Sequence, residues 1–284
     1  MSFSRREKSG QGGAGAENIF KFVCPAIKRG DSLLLVPEPV WPTVLPQALA
    51  PISLFLSGLA TGTFAAGTAL TAQGRALFTV LMRLEIPLPE KMRAVPAIRL
   101  LAQTDIPAGE LAVFSCRSAP ALAWITLSDK GFAGEREDRS GPSIAQTVGA
   151  AIPLRHCSGY MLPDDILKLR ALVLDLAVNQ GYDFIITSGG TGTSPRDTTP
   201  EALLPLLEKR LPGFEQAMLQ YSLGLTPYAA ISRAIAGVIG HSLILALPGS
   251  ARAVHENLQP ILKAMPHALE KLQGNQADCG TELK

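Results

Sequence analysis

The chain has 284 residues, 47% of them hydrophobic and 18% charged, so it can bury a substantial core and is not globally disordered. A net charge of +2 gives no electrostatic case for a nucleic-acid binder. Four scattered cysteines without a Cys-x-x-Cys pair, and four histidines without ligand spacing, argue against a structural zinc site and fit a reducing cytoplasm.

Residues 1–17 read as a polar, glycine-containing leader with no secretory signal. Residues 1–118 are predicted to form a smaller, β-rich N-terminal domain of unknown role. Ser32–Val36 and Leu111–Ser115 look like strands, and Ala76–Leu84 fits strand or helix. No charged residue falls between Glu38 and Arg75, but Pro46, Pro51, Gly58, Gly62 and Gly67 interrupt that stretch. It reads as soluble core, and no membrane association is expected. Cys116 reads as a buried small hydrophobe.

From Ala119 the pattern changes to alternating strands and helices, which predicts an α/β domain over 119–275 with a mostly parallel sheet covered on both faces, followed by a tail at 276–284. Strands are expected at Ala121–Leu127, Ile152–Met161 and Phe184–Thr187. Ser128–Gly131 is expected to be a loop and Gly141–Ala150 a helix. A second helix should follow Leu162-Pro163-Asp164-Asp165 and stop at Gly181. Ala236–Leu247 reads as a hairpin or kinked strand, and Pro248-Gly249-Ser250 as the turn opening the last helix.

The most informative stretch runs from Ile185 to Glu201. A buried strand breaks into Ser188-Gly189-Gly190-Thr191-Gly192 and ends at a helix start, where Thr199 reads as the cap and Pro200 as the first helical residue. Glycines allow close backbone approach, and free N–H groups at such a turn attract anions. The loop is neither a P-loop nor a dinucleotide fingerprint. Arg196 and Asp197 sit inside it.

In a doubly wound sheet, ligands collect at the carboxyl ends of the strands. That rule should gather Asp129, Asp164, Arg196 and Asp197. A lone Asp at a strand end is commonly a helix cap, and Asp164 fits that description as well as a functional one. Asp197, within a glycine-rich loop, favours function.

Seven segments in order carry a family resemblance. They are Thr126–Gly131, Asp138 with Ser140-Gly141, Leu162-Pro163-Asp164, Thr187–Glu201, Leu211–Phe214, Ser232-Arg233-Ala234 and Leu247–Ser250. Residues from about 120 to 273 resemble the MogA/MoaB family of molybdenum-cofactor biosynthesis, the molybdopterin adenylyltransferases. The resemblance implies a three-layer α/β/α molybdopterin-binding fold, a homotrimer, and transfer of AMP from Mg-ATP to the molybdopterin phosphate with release of pyrophosphate.

It further implies catalytic and Mg²⁺-binding roles for Asp164 and Asp197. Substrate contacts would fall to Ser128, Asp129, Ser188, Gly189, Gly190, Thr191, Gly192, Arg196, Pro248, Gly249 and Ser250. A molybdate-insertion enzyme is a possible partner. The alternatives are molybdate insertion itself, done by a sister family with the same core, and a molybdopterin carrier or sensor without transferase activity.

Overall fold

The computed structural model describes residues 19–37, 52–56, 64–88 and 93–274. The leader, most of the uncharged stretch after Glu38, Cys279 and the tail lie outside those residues. No helix among the described residues is long and apolar enough to cross a membrane.

The first sheet has seven strands: β1 (Ile19–Cys24), β2 (Ser32–Pro37), β3 (Ile52–Leu56), β4 (Ala69–Ala72), β5 (Arg75–Leu88), β6 (Arg93–Ala102) and β7 (Gly109–Cys116). Their order is β1-β7-β4-β5-β6-β2-β3. All pairs are antiparallel except β2 with β3. The sheet curls until its two end strands, β1 and β3, approach each other. Leu33, Leu35, Leu70, Phe78, Val80, Ile98, Leu100 and Val113 fill its interior with Phe64. Along β2 the side chains alternate between two faces: Leu33 and Leu35 enter this interior, while Leu34 and Val36 pack with Ala97 of β6 on the other side. The stretch from Ala76, ambiguous in sequence, is strand. Cys116, expected to be buried, is exposed at the end of β7.

The second sheet contains β8 (Ala121–Leu127), β9 (His156–Leu162), β10 (Phe184–Ser188), β11 (Lys209–Arg210), β12 (Ile235–Ile239) and β13 (Ser242–Leu247), in the order β11-β12-β13-β10-β8-β9. The chain thus carries an α/β unit, as expected, but its sheet is mixed. β13, β10, β8 and β9 are mutually parallel, whereas β11 and β12 are antiparallel additions.

Seven α-helices accompany this sheet among the described residues: α1 (Asp129–Phe132), α2 (Ser140–Ala151), α3 (Ile166–Leu174), α4 (Thr199–Leu203), α5 (Pro212–Leu223), α6 (Ala251–Leu258) and α7 (Met265–Leu272). The buried strands alternate side chains between two cores. Leu122, Phe184, Ile186, Leu243, Leu245 and Leu247 meet Ile144 and Val148 of α2, Met218 of α5, Val254 and Leu258 of α6, and Leu269 of α7. Ala123, Ile125, Leu127, Ile185, Ile244 and Ala246 meet Leu169 and Val173 of α3 and Leu203 of α4 on the other face. A parallel strand covered on both faces must be apolar throughout, and β10 and β13 are buried at every residue.

The two sheets meet at the amino-terminal edge of the parallel strands. α3 continues into a π-helical stretch, Asp175–Gln180, which ends at Gly181 in the left-handed conformation (φ 68°). Gln180 pairs with the backbone of β5: its Oε1 accepts from Arg83 N at 2.8 Å and its Nε2 donates to Arg83 O at 3.2 Å. Its own carbonyl accepts from Ala66 N at 2.8 Å. Beside it, Asp183 is 2% exposed and accepts from Ala121 N and Arg117 Nη2, both at 2.8 Å, and from Gln273 Nε2 at 3.0 Å. Burial still raises the Asp183 pKa, against the opposing pull of Arg117.

Candidate functional site

The four parallel strands end together at a cleft of about 1240 Å³. Among the described residues, every one lining it lies between Thr126 and Asn257, and none comes from the first sheet. At its floor, β8 ends in Leu127-Ser128, β9 in Met161, β10 in the glycine loop and β13 in Pro248-Gly249-Ser250.

The glycine loop has its conformation because two positions admit no side chain. Gly189 has φ 109°, and a Cβ there would stand 2.4 Å from Leu127 O; Gly190 has φ 64°, and a Cβ would stand 2.3 Å from Thr199 Oγ1. Thr199 does not cap its helix, as the sequence suggests. Its hydroxyl donates to Gly189 O at 2.8 Å and its N–H to Gly190 O at 3.0 Å. Thr198 takes the cap position of α4 without a side-chain bond.

Both candidate acids line the cleft. Asp164 is not the cap of α3; Asp165 is, accepting from Leu167 N and Lys168 N, which leaves the Asp164 carboxyl out of the helix. Burial raises the Asp164 pKa first, and the negative charge of Asp129 second; Asp197 adds to this, while Arg196 opposes it. The acids gathered by the strand ends therefore feel one another. Asp197 accepts from Ser194 N at 2.9 Å and packs on Gly192, where a Cβ would approach its Oδ2 to 2.8 Å.

Asp129 acts as a joint between loops. Its Oδ1 accepts from Asp164 N at 3.1 Å and its Oδ2 pairs with Arg196. Those two bonds, the backbone one first, lower its pKa. Neither Asp129 nor Arg196 lines the cleft. Arg196, at 63% exposure, forms a surface ion pair with Asp129.

Ser128, expected in a loop, is the cap of α1, accepting from Gly131 N; Ser250 caps α6, accepting from Ala253 N. Both still line the cleft, as do Gly189, Gly190, Thr191, Gly192, Pro248 and Gly249. Ser188, expected to contact substrate, is fully buried, and its hydroxyl donates to Pro248 O at 3.1 Å. It fastens the glycine loop to the Pro-Gly-Ser turn.

Three residues with a large part in the site received no role from sequence reasoning. Asp138, one residue before the cap position of α2, accepts from Gly141 N at 2.9 Å and from Thr126 Oγ1 at 2.8 Å. Ser232 lines the cleft with a buried hydroxyl that has no partner among the described residues. Arg233 reaches across beneath the glycine loop. All three fall in the motif segments, but nothing local in the sequence says what a lone Arg before a buried strand will touch.

A family model described as a probable molybdopterin binding domain matches residues 123–267. The chain is 41% identical over 154 residues to gephyrin of Dictyostelium discoideum, a match that covers 51% of this chain and 21% of gephyrin. It is 31% identical over 175 residues to the molybdopterin adenylyltransferase of Haemophilus influenzae, covering 57% of this chain and 89% of that one. Among solved structures, the molybdopterin biosynthesis enzyme MoaB of Thermus thermophilus is 38% identical with a TM-score of 0.50, covering 55% of this chain and 97% of that one. The chain thus spans about a fifth of one relative and nearly the whole of two others.

Proposed function

The chain belongs to the molybdopterin-binding domain family of molybdenum-cofactor biosynthesis, and from that premise we propose that it is a molybdopterin adenylyltransferase. The observation that carries this reading is the single cleft shared by the glycine loop, Asp164 and Asp197.

An oxygen of the molybdopterin phosphate attacks the α-phosphorus of ATP. The new P–O bond forms as the bond from the α-phosphorus to the α,β-bridging oxygen breaks, and pyrophosphate leaves with that electron pair. The attacking phosphate is anionic at neutral pH, so no histidine base is needed, and the cleft lining contains no histidine. Such transfers depend on positioning and charge neutralisation. The amides of Gly190, Thr191 and Gly192, with the partnerless Ser232 hydroxyl, suit a phosphate.

The acids suit Mg²⁺. The carboxyl of Asp164 is disfavoured as an anion first by burial and then by its acidic neighbours, a situation a cation relieves. Among the described residues no group of three acids, histidines or cysteines stands ready to hold a metal alone. That matches an ion held by one or two carboxylates plus substrate phosphates. Asp164 and Asp197 would hold it, and it would screen the triphosphate during transfer. Ser128 and the Pro248–Ser250 turn border the same space and would contact substrate. Asp129 and Arg196 would position the Asp164 loop from outside. A homotrimer, contact with a molybdate-insertion enzyme and a cytoplasmic setting belong to the same proposal.

Mixing the purified chain with molybdopterin and Mg-ATP tests it. Stoichiometric pyrophosphate release is expected. Tight molybdopterin binding without pyrophosphate would identify a carrier instead, and molybdate-dependent consumption of adenylylated molybdopterin would identify the insertion enzyme.

A further inference from the structure

The orientation of the glycine loop has an identifiable cause. In a trans peptide the C=O of one residue and the N–H of the next point in opposite directions. Fixing four successive carbonyls therefore aims four amides. Thr199 holds the first two carbonyls, those of Gly189 and Gly190. Arg233 holds the next two: its backbone N–H donates to Thr191 O at 3.0 Å and its Nε to Gly192 O at 2.8 Å. Its Nη2 also donates to Asp197 O at 2.5 Å, and its Nη1 pairs with Glu201 at the start of α4. Among the described residues, nothing accepts from the N–H groups of Gly190, Thr191, Gly192 or Thr193.

We propose that Arg233 is the positioning residue of the phosphate cradle. It does not line the cleft. From behind the loop its backbone N–H holds Thr191 O, which fixes the Gly192 amide on the other side of that peptide, and its guanidinium holds Gly192 O and Asp197 O, which anchors the end of the cradle. The same guanidinium locks the peptide that follows Asp197, so the cradle and the acid keep a fixed spacing. A guanidinium suits this task because its planar fork presents its donors in fixed directions, whereas an ammonium is a compact point charge on a flexible stem. The inference rests on reading the loop as a phosphate cradle and not on adenylyl transfer.

The test is a titration of the full chain with inorganic phosphate, followed by ³¹P NMR, for wild type, Arg233→Ala and Arg233→Lys. Phosphate affinity should fall at least about tenfold in Arg233→Ala. It should fall less in Arg233→Lys and recover in Arg233→Ala when free guanidinium is added. A merely structural role would let guanidinium restore the melting temperature without restoring affinity, and that result overturns the inference. So does wild-type affinity in folded Arg233→Ala or Arg233→Lys, and so does a wild type that binds no phosphate. A wild type with Arg233-dependent phosphate binding but no pyrophosphate release upholds the cradle and removes only the transferase reading.

Discussion

Asp197 sits in an exposed loop and accepts one backbone amide, that of Ser194. Losing that bond costs about 1 kcal/mol of stability. Asp197→Ala should therefore unfold within roughly that margin of wild type in urea while losing pyrophosphate release. Unchanged turnover would remove Asp197 from the chemistry. Asp164 carries a pH signature. Its pKa is raised, so it takes up a proton at a higher pH than an ordinary carboxyl does. Since the ionised form is the one that holds a cation, turnover should fall as pH drops through that raised value. The limb should be missing from whatever activity Asp164→Asn retains. A pH–rate profile of the two proteins decides this. Residue identity made the acids legible in the sequence, but not their geometry. Asp164 and Asp165 are chemically identical neighbours, and only the helix entry angle shows that Asp165 is the cap. Ser188 misled for the opposite reason: a hydroxyl beside two glycines looks available, yet β10 turns it inward to Pro248.

At the scale of elements, the loop between β10 and α4 depends on glycine conformation. Gly190→Ala would force a side chain into a left-handed φ and against Thr199 Oγ1, displacing the hydroxyl from Gly189 O. A destabilisation of about 1–3 kcal/mol is expected, together with loss of phosphate binding. Wild-type values of both in a titration and a urea melt would show that the left-handed turn is dispensable. The strand–glycine–helix order was legible because glycine runs and Pro200 punctuate it. The strand expected from Ile152 begins only at His156, because Ile152 still bonds to Val148 O as the end of α2. The motif segment Leu211–Phe214 enters α5, with Pro212 at its first position. The antiparallel placement of β11 and β12 depends on contacts distant in sequence, and no local period encodes those.

Across the whole molecule, ligand cleft and sheet-to-sheet junction occupy opposite edges of the parallel strands. The junction includes a buried carboxylate whose charge is offset by one half-exposed guanidinium. Arg117→Ala leaves Asp183 buried with two neutral donors and also strips a donor from Gly181 O. A loss of about 2–3 kcal/mol near neutral pH is expected. The sign with pH follows from linkage: without Arg117 the folded-state pKa of Asp183 rises further. The protonated form then carries the stability, which is present at acid pH and lost as pH climbs. Urea melts at acid and at neutral pH should show the deficit growing with pH, and a deficit constant in pH would contradict this reading. Phosphate affinity should be untouched, since neither Arg117 nor Asp183 lines the cleft. That separation was only partly legible. The change of pattern near Ala119 marked where one sheet gives way to another, but the docking of Gln180 onto β5 uses one side chain in a π-helical stretch that carries no recognisable motif.

Transfer of label from α-³²P-ATP to molybdopterin is the most direct measurement of the central claim that one cleft unites a phosphate cradle with two acids. Wild type should place the label in adenylylated molybdopterin, while folded Asp164→Asn and Asp197→Asn should place little or none there. Labelled product from both variants at the wild-type rate, or none from a wild type that binds molybdopterin, would contradict it.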